Sequence, residues 1–242
     1  IIITTYNPIF KFLKKSIDSV FNQYYKNWKL IIVNDGCRDK KVINYLDTVT
    51  DNDDRICLIT NLVNKNISTS LNSALKLCNS EFYVVLDHDD FLTPNAIYHV
   101  VEAINLHPKA RIIYSDEDKI NSSGRRLSPF FKPAWNPELL LSQNYICHLC
   151  ALHTKTVKSL GGYCEQVNGA QDWDILLKMV EILNDNQIIH IPRILYHWRI
   201  HKNSTSLNID SKPFAISAAH LSLTNTINRR KIKADVFVSD KL

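Results

Sequence analysis

An α/β fold with a central, mostly parallel sheet flanked by helices is predicted by three features of this 242-residue chain. Short wholly apolar runs alternate with longer stretches in which apolar residues recur every three to four positions. Turn-forming or polar residues close the apolar runs. A strand covered on both faces reads as a continuous apolar run, and amphipathic helices between such strands mark βαβ units.

The elements follow in order. Ile1-Ile2-Ile3 is the first strand, and Leu13, Ile17, Val20, Phe21 and Tyr24 then fall at helical spacing. Leu30-Ile31-Ile32-Val33 is the second strand, ended by the turn signal Asn34-Asp35-Gly36. Val42 and Leu46 mark a second helix, Ile56 to Ile59 a third strand, and Leu71, Ala74, Leu75 and Cys78 a third helix. Phe82 to Leu86 is the fourth strand. Thr93-Pro94 reads as a helix cap and a first-turn proline, with Ile97, Val100, Val101 and Ile104 on one face behind it. Ile112-Ile113-Tyr114 is a fifth strand. Further on, Ile175, Leu176, Met179, Val180 and Leu183 form a helical stripe; Phe214, Ala218, Leu221 and Ile227 suit a closing helix, and Val236-Phe237-Val238 a final strand.

Composition narrows the function. The chain is 45% hydrophobic and 22% charged, enough apolar material for a full core. Net charge is +5, from 29 Lys+Arg against 24 Asp+Glu, and it is spread along the chain. The densest basic run, Arg229-Arg230-Lys231, is too short for a nucleic-acid footprint, and no nucleic-acid partner is expected. The longest uncharged run, Leu139 to Thr154, carries Ser142, Gln143, Asn144, His148 and His153 and makes a poor lipid span. Its start at Ile1, inside a strand and without Met, leads to the expectation of one domain taken from a longer protein.

The six cysteines show no disulfide framework. Cys147-His148-Leu149-Cys150 is a CxxC, but a zinc site needs a second matching pair; the expectation is free or buried thiols. The Asn-x-Ser/Thr sequons at Asn66, Asn121 and Asn203 carry no weight without a secretory signal.

The chemistry concentrates in Leu86-Asp87-His88-Asp89-Asp90, directly after the fourth strand. In open α/β sheets ligands bind beyond the carboxyl ends of the strands. Asp35 follows the second strand at the same edge, and Thr4, Thr5, Tyr6 and Asn7 follow the first. Crowded carboxylates repel, and a hard divalent cation, Mg²⁺ or Mn²⁺, relieves that repulsion and can bridge to a diphosphate. An acidic helix start would explain Asp90 alone.

These residues, taken with others in order, resemble family 2 glycosyltransferases of the GT-A (Rossmann-like) fold. The matching segments are Ile1 to Asn7, Val33 to Gly36, Asn64 to Asn72, Leu86 to Asp90, Gly169 to Asp174 and Tyr196 to His201. They span about residues 1–206. Tyr114-Ser115-Asp116-Glu117-Asp118-Lys119 and Phe131-Lys132-Pro133-Ala134-Trp135-Asn136-Pro137 narrow the resemblance to a subgroup of O-antigen and surface-polysaccharide synthesis.

The resemblance implies one GT-A domain over 1–242, with a nucleotide-binding half of about 1–119 and an acceptor-binding half of about 120–242. Thr4 and Tyr6 would lie against base or ribose, and Asp35 would accept a hydrogen bond from uracil or thymine. Asp87 and Asp89 match the family's DxD; Asp87 would face the ribose or metal and Asp89 would ligate the metal. Asp172 would be the general base on the acceptor hydroxyl, with Gln171 where relatives carry Glu. Arg199 and His201, read as a loop after the last core strand, would reach the diphosphate, with His201 completing the metal shell. Asn66 and Leu71 depart from relatives that have Gly and Arg there, which removes one phosphate contact. The implied reaction is an inverting, metal-dependent transfer of a sugar from a UDP- or dTDP-linked donor to a growing surface glycan such as O-antigen or capsule. The acceptor would be a glycan or lipid-linked glycan, and the implied location is cytoplasmic, reaching to peripheral contact with the inner face of the cell membrane.

Blander readings stand beside these. Asp172 and Asp174 could cap their helix. Trp135, Tyr145 and Trp173 are candidate sugar platforms, Trp173 and Trp198 being equally suited to the core. Asp116-Glu117-Asp118 reads as a solvated turn, and His197 as packed. A sugar-1-phosphate nucleotidyltransferase would need a Gly-rich loop after the first strand, which Ile1 to Pro8 lacks. A phosphatase would place its DxD after the first strand. The remaining alternative is a non-catalytic carbohydrate- or nucleotide-binding module descended from a transferase.

Overall fold

The computed structural model describes residues 1–200 and 213–237. Strands β1 (Ile2–Thr5), β2 (Leu30–Asp35) and β3 (Ile56–Asn61) pair in parallel in that spatial order. Helices α1 (Phe10–Phe21), α2 (Lys40–Asp51) and α3 (Ile67–Leu77) make the crossovers between them and onward. All six residues of β2 are buried, which is why it reads as an unbroken apolar run. Its side chains alternate between two cores. Leu30 and Ile32 pack with Leu13, Ile17, Val42 and Leu46 of α1 and α2; Ile31 and Val33 pack with Leu71, Ala74 and Leu75 of α3. Each such side chain contributes about 1.5–3 kcal/mol on burial.

β4 (Phe82–Val84) lies beside β1, joined by a parallel bridge from Ile2 to Val85 and by the Leu86 amide donating to the Ile2 carbonyl at 2.9 Å. The strand order therefore reverses between β1 and β4. A crevice at the carboxyl ends of those two strands is the switch point where such sheets bind ligands.

The rest of the sheet is mixed. β4 pairs antiparallel with β8 (Cys150–His153), β8 with β6 (Ile112–Ile120), β6 in parallel with β9 (Ile188–Arg199), and β9 with the short β5 (Phe91–Leu92). β7 (Arg126–Phe130) adds to β6 outside this path. α4 (Ala96–Leu106), α5 (Pro137–Ser142), α6 (Thr154–Ser159), α7 (Gln171–Val180) and α8 (Pro213–Arg229) complete the described helices. Among the described residues, no helix is long and apolar enough to cross a membrane.

Three expectations are corrected here. Thr93-Pro94 does not start α4: the helix begins at Ala96, with the Thr93 carbonyl accepting from the Ala96 amide at 3.0 Å and the Thr93 hydroxyl donating to Asn95 Oδ1 at 2.7 Å. Asp116-Glu117-Asp118 is no solvated turn but the middle of β6, and all three are buried. Each has a cationic or imidazole partner from elsewhere: His190 for Asp116, Lys132 for Glu117, and His197 with Arg126 for Asp118. Val236 and Phe237 belong to no strand, and Val238 lies outside the described residues.

Candidate active site

The chain leaves β4 through buried Leu86 and turns sharply. Asp87, His88 and Asp89 are half-buried and Asp90 is fully buried. Asp87, Asp89 and Asp90 each bring a carboxylate oxygen within 4.8 Å of the others, a donor set suited to a hard cation. Burial, then the charges of Asp87 and Asp89, push the Asp90 carboxyl well above the usual carboxylate range. Asp90 caps no helix, since β5 intervenes before α4. It accepts instead from the Tyr196 hydroxyl and the Arg199 amide, each at 2.7 Å. The Ser16 hydroxyl of α1 donates to the Asp87 carbonyl at 3.1 Å. The Asp90 amide closes the turn on the Asp87 carbonyl at 3.1 Å, and groups from α1 and β9 hold it from outside.

Arg199 is not on a loop. It is the last residue of β9, 1% exposed, sandwiched between the rings of Phe12 and Phe91 at 4.4 and 5.4 Å. Its Nε donates to the Asp89 carbonyl at 2.6 Å. Burial lowers its pKa, while Asp90 and Asp89 raise it. The side chain supports the acidic turn from beneath rather than standing at the mouth of the crevice. His201 lies outside the described residues.

Asp35 ends β2 at the same rim, buried. It accepts from Asn61 Nδ2 at 2.7 Å and from the Lys65 amide at 3.0 and 3.1 Å. Two carboxylate oxygens offer about four lone-pair sites, so acceptor capacity remains on Oδ2. Gly36, at φ +86°, allows this: a Cβ there would stand 2.6 Å from the Asn64 nitrogen. Asn66, at φ 72°, holds the start of α3 by accepting from the Thr69 amide at 3.0 Å. That conformation is one that glycine adopts freely and that other residues seldom take. Leu71 is in the core. Thr4 is half-buried at the end of β1, and Tyr6 is 51% exposed on the rim. Thr5, between them, is buried, and among the described residues its hydroxyl has no hydrogen-bond partner.

Asp172 is half-buried in the first turn of α7, the end of a helix that favours negative charge. Asn144 Nδ2 donates to its Oδ2 at 2.8 Å. Burial raises its pKa; His148 and backbone amides pull it down, and Asp87 pushes it up. Asp174 is buried on the same helix and ion-pairs with Lys178 at 2.7 Å. Gln171 turns back and accepts from the Gly169 amide at 2.7 Å, closing the loop before the helix.

His148 was hidden in the sequence by its CxxC setting. Its Nε2 stands 3.7 Å from Asp87 Oδ2, and its ring lies flat on Tyr196, 4.6 Å between centroids at 11°. Cys147 and Cys150 are free thiols, and burial raises both, Cys150 to about 12. Among the described residues the three aspartates are the metal-capable cluster.

The aromatic platform splits. Tyr145 and Trp173 are core residues, Tyr145 accepting from the Asn136 amide and Trp173 donating to the Leu140 carbonyl. Their polar atoms find backbone partners nearby, so nothing holds them at the surface. Trp135 is half-buried and bonds Asp185 at 2.7 Å. His197 is packed, against Asp118 and the ring of Phe91.

A sheet whose switch point delivers an acidic turn to a crevice, with a helix-borne carboxylate beside it, is the layout of a GT-A glycosyltransferase. The chain belongs to glycosyl transferase family 2: the model of that family matches residues 1–161. It is 38% identical to the uncharacterized protein y4gI of Sinorhizobium fredii over 95% of this chain and 25% of that protein. It is 31% identical to the O-antigen biosynthesis protein RfbC of Myxococcus xanthus over 78% of this chain and 15% of that one. The chain thus spans a quarter or less of these two relatives. Among solved structures, S. aureus TarS residues 1–349 in complex with UDP-GlcNAc superposes with a TM-score of 0.73 at 17% identity, over 98% of this chain and 67% of that one. The mannosyltransferase PcManGT of Pyrobaculum calidifontis in complex with GDP-Man and Mn²⁺ gives 0.63 at 14%, over 97% and 75%.

Proposed function

We propose that this domain catalyses an inverting, cation-assisted transfer of a sugar from a UDP- or dTDP-linked donor to a growing surface glycan such as O-antigen or capsule. One observation carries the reading: the clustered carboxylates of Asp87, Asp89 and Asp90 and the base candidate Asp172 belong to one electrostatic neighbourhood, with His148 within reach of both sides. TarS, solved with UDP-GlcNAc, supports a uridine donor, and RfbC supports the glycan class.

The donor set fits Mg²⁺ or Mn²⁺, being all oxygen, close-set and self-repelling; PcManGT in complex with Mn²⁺ supports the same choice. Asp89, with His201 as a further ligand, would hold the cation, which would supply neutralisation of the departing diphosphate. Asp87 orients the ribose side, and Thr4, Tyr6 and Asp35 bind the nucleoside. Arg199 serves the diphosphate indirectly, by holding the turn that carries Asp89. Asp172 takes the proton of the acceptor hydroxyl as its oxygen bonds the anomeric carbon and the carbon–diphosphate bond breaks. A single displacement inverts the configuration. Residues up to about 119 form the donor half and those beyond it the acceptor half, facing a glycan or lipid-linked glycan in the cytoplasm at the membrane's inner face.

Calorimetric titration with UDP, dTDP and GDP, with and without Mn²⁺, tests the reading beside Asp89→Ala. Metal-dependent binding of UDP or dTDP that the variant loses is the expected result. A folded protein that binds none of them returns the domain to the class of non-catalytic modules.

A further inference from the structure

One short segment joins the two sides of the site. Residues 144–148 run from α5 towards β8. At one end Asn144 donates to Asp172 Oδ2 at 2.8 Å, and at the other His148 stands 3.7 Å from Asp87 Oδ2. Asn144 Oδ1 accepts from the Cys147 amide at 3.3 Å, which turns its NH₂ outward to the base. The His148 ring is fixed by its stack on Tyr196 and by Trp198, edge-on at 5.9 Å. Tyr196 is the same residue whose hydroxyl holds the acidic turn.

The segment is clamped from behind. The Lys132 ammonium, wholly buried, ion-pairs with Glu117 at 3.1 Å. It also donates to the Ile146 carbonyl at 2.6 Å and to the His148 carbonyl. Glu117 Oε2 accepts from the His148 amide at 3.1 Å. Desolvating such a pair costs several kcal/mol, and apolar residues could fill the space at no loss of stability. What apolar residues could not do is grip three backbone groups of a loop.

We propose that the 144–148 segment sets the separation of donor site and base, His148 being a positioning residue for Asp87 and Asn144 a positioning residue for Asp172. This rests on the roles given to Asp87 and Asp172 above. A misplacement of about 1 Å can cost on the order of 10²-fold in rate, so such a spacer has a use. The two direct contacts are separable, since Asn144 bonds Asp172 while His148 contacts Asp87 and acts on Asp172 only through its charge.

The experiment uses the full chain, UDP with Mn²⁺ as the binding probe, and carbon-detected NMR of aspartate carboxyls in the metal-free protein. Asn144→Ala should leave UDP affinity within about twofold while the Asp172 carboxyl titrates at higher pH, because its ionised form loses a donor. His148→Ala should weaken UDP binding about five- to tenfold, with His148→Gln recovering most of it through an amide that can reach Asp87. Thermal melts check folding, and Asn144→Ser replaces the alanine variant if that one melts early. A purely structural role would lower all melts together without this division. UDP affinity untouched by His148→Ala, together with an Asp172 titration untouched by Asn144→Ala, overturns the inference while leaving the donor site standing. If the parent protein binds no nucleotide, the functional reading fails, and the Asp172 titration alone decides whether the segment positions that carboxylate.

Discussion

The Tyr196 hydroxyl donates to Asp90 Oδ2 at 2.7 Å and accepts from the Asp87 amide at 3.3 Å, so one phenol pins both ends of the acidic turn. Tyr196→Phe keeps the ring under His148 and removes only that pin. A buried carboxylate losing a donor should cost about 1–3 kcal/mol in urea melts. UDP affinity in Mn²⁺ should fall with it. A variant as stable as the parent would show that the Arg199 amide alone suffices for Asp90.

Activity should have an acid limb set by Asp172. A general base works when ionised, and burial raises this carboxyl above its ordinary value of 3.8. The rate should therefore fall as pH falls, and the fall should begin at a higher pH than for an exposed aspartate. His148 opposes the rise, so His148→Ala should move the limb to still higher pH. The pH dependence of kcat for the donor found by titration checks both directions; a limb that moves to lower pH would remove His148 from the neighbourhood of the base.

Lys132→Met should destabilise by about 3–5 kcal/mol, because it strands Glu117 as a buried charge. Pairing it with Glu117→Gln should recover part of the loss in chemical denaturation. Equal melts for the single and double variants would mean that Glu117 finds another partner.

Asn66→Gly should change stability by less than about 0.5 kcal/mol, because glycine accepts φ 72° freely and substitutes for a cap at small cost. Asn66→Ala should cost about 1–2 kcal/mol, losing the bond to the Thr69 amide and keeping the unfavourable φ. Thermal melts of the two side by side test the conformational argument.

The first half of the chain was legible because its signals are runs of neighbouring residues. β2 could be read from four consecutive aliphatics, and α1, α2 and α3 from residues a turn apart. Asp87 and Asp89 could be located because a buried strand ends just before them. The second half resisted for the opposite reason. β6 carries three acids that only distant residues, His190, Lys132 and His197 among them, make tolerable inside a sheet. No local pattern distinguishes them from a solvent-facing turn. Arg199 looked mobile because polar residues follow it, yet its own neighbours are Phe12 and Phe91, from elsewhere in the chain. His148 sits between two cysteines that drew attention to zinc, while its partners Asp87 and Tyr196 are far away in sequence.

The acids of β6 also bear on how the chain assembles. Their partners lie between 8 and 79 positions along the chain. A strand of bare carboxylates gains nothing by desolvation until those cations and imidazoles arrive. The imidazole partners His190 and His197 stand 74 and 79 positions away, and contacts so distant in sequence close slowly. The apolar β1-β2-β3 layer pairs residues 26 to 29 positions apart and needs no counter-charge, so the acidic strand should be the late step of folding, entering only once those imidazoles are on hand. The same arrangement makes this half of the protein unreceptive to strangers: a foreign strand offered to that slot would have to present three acids in register.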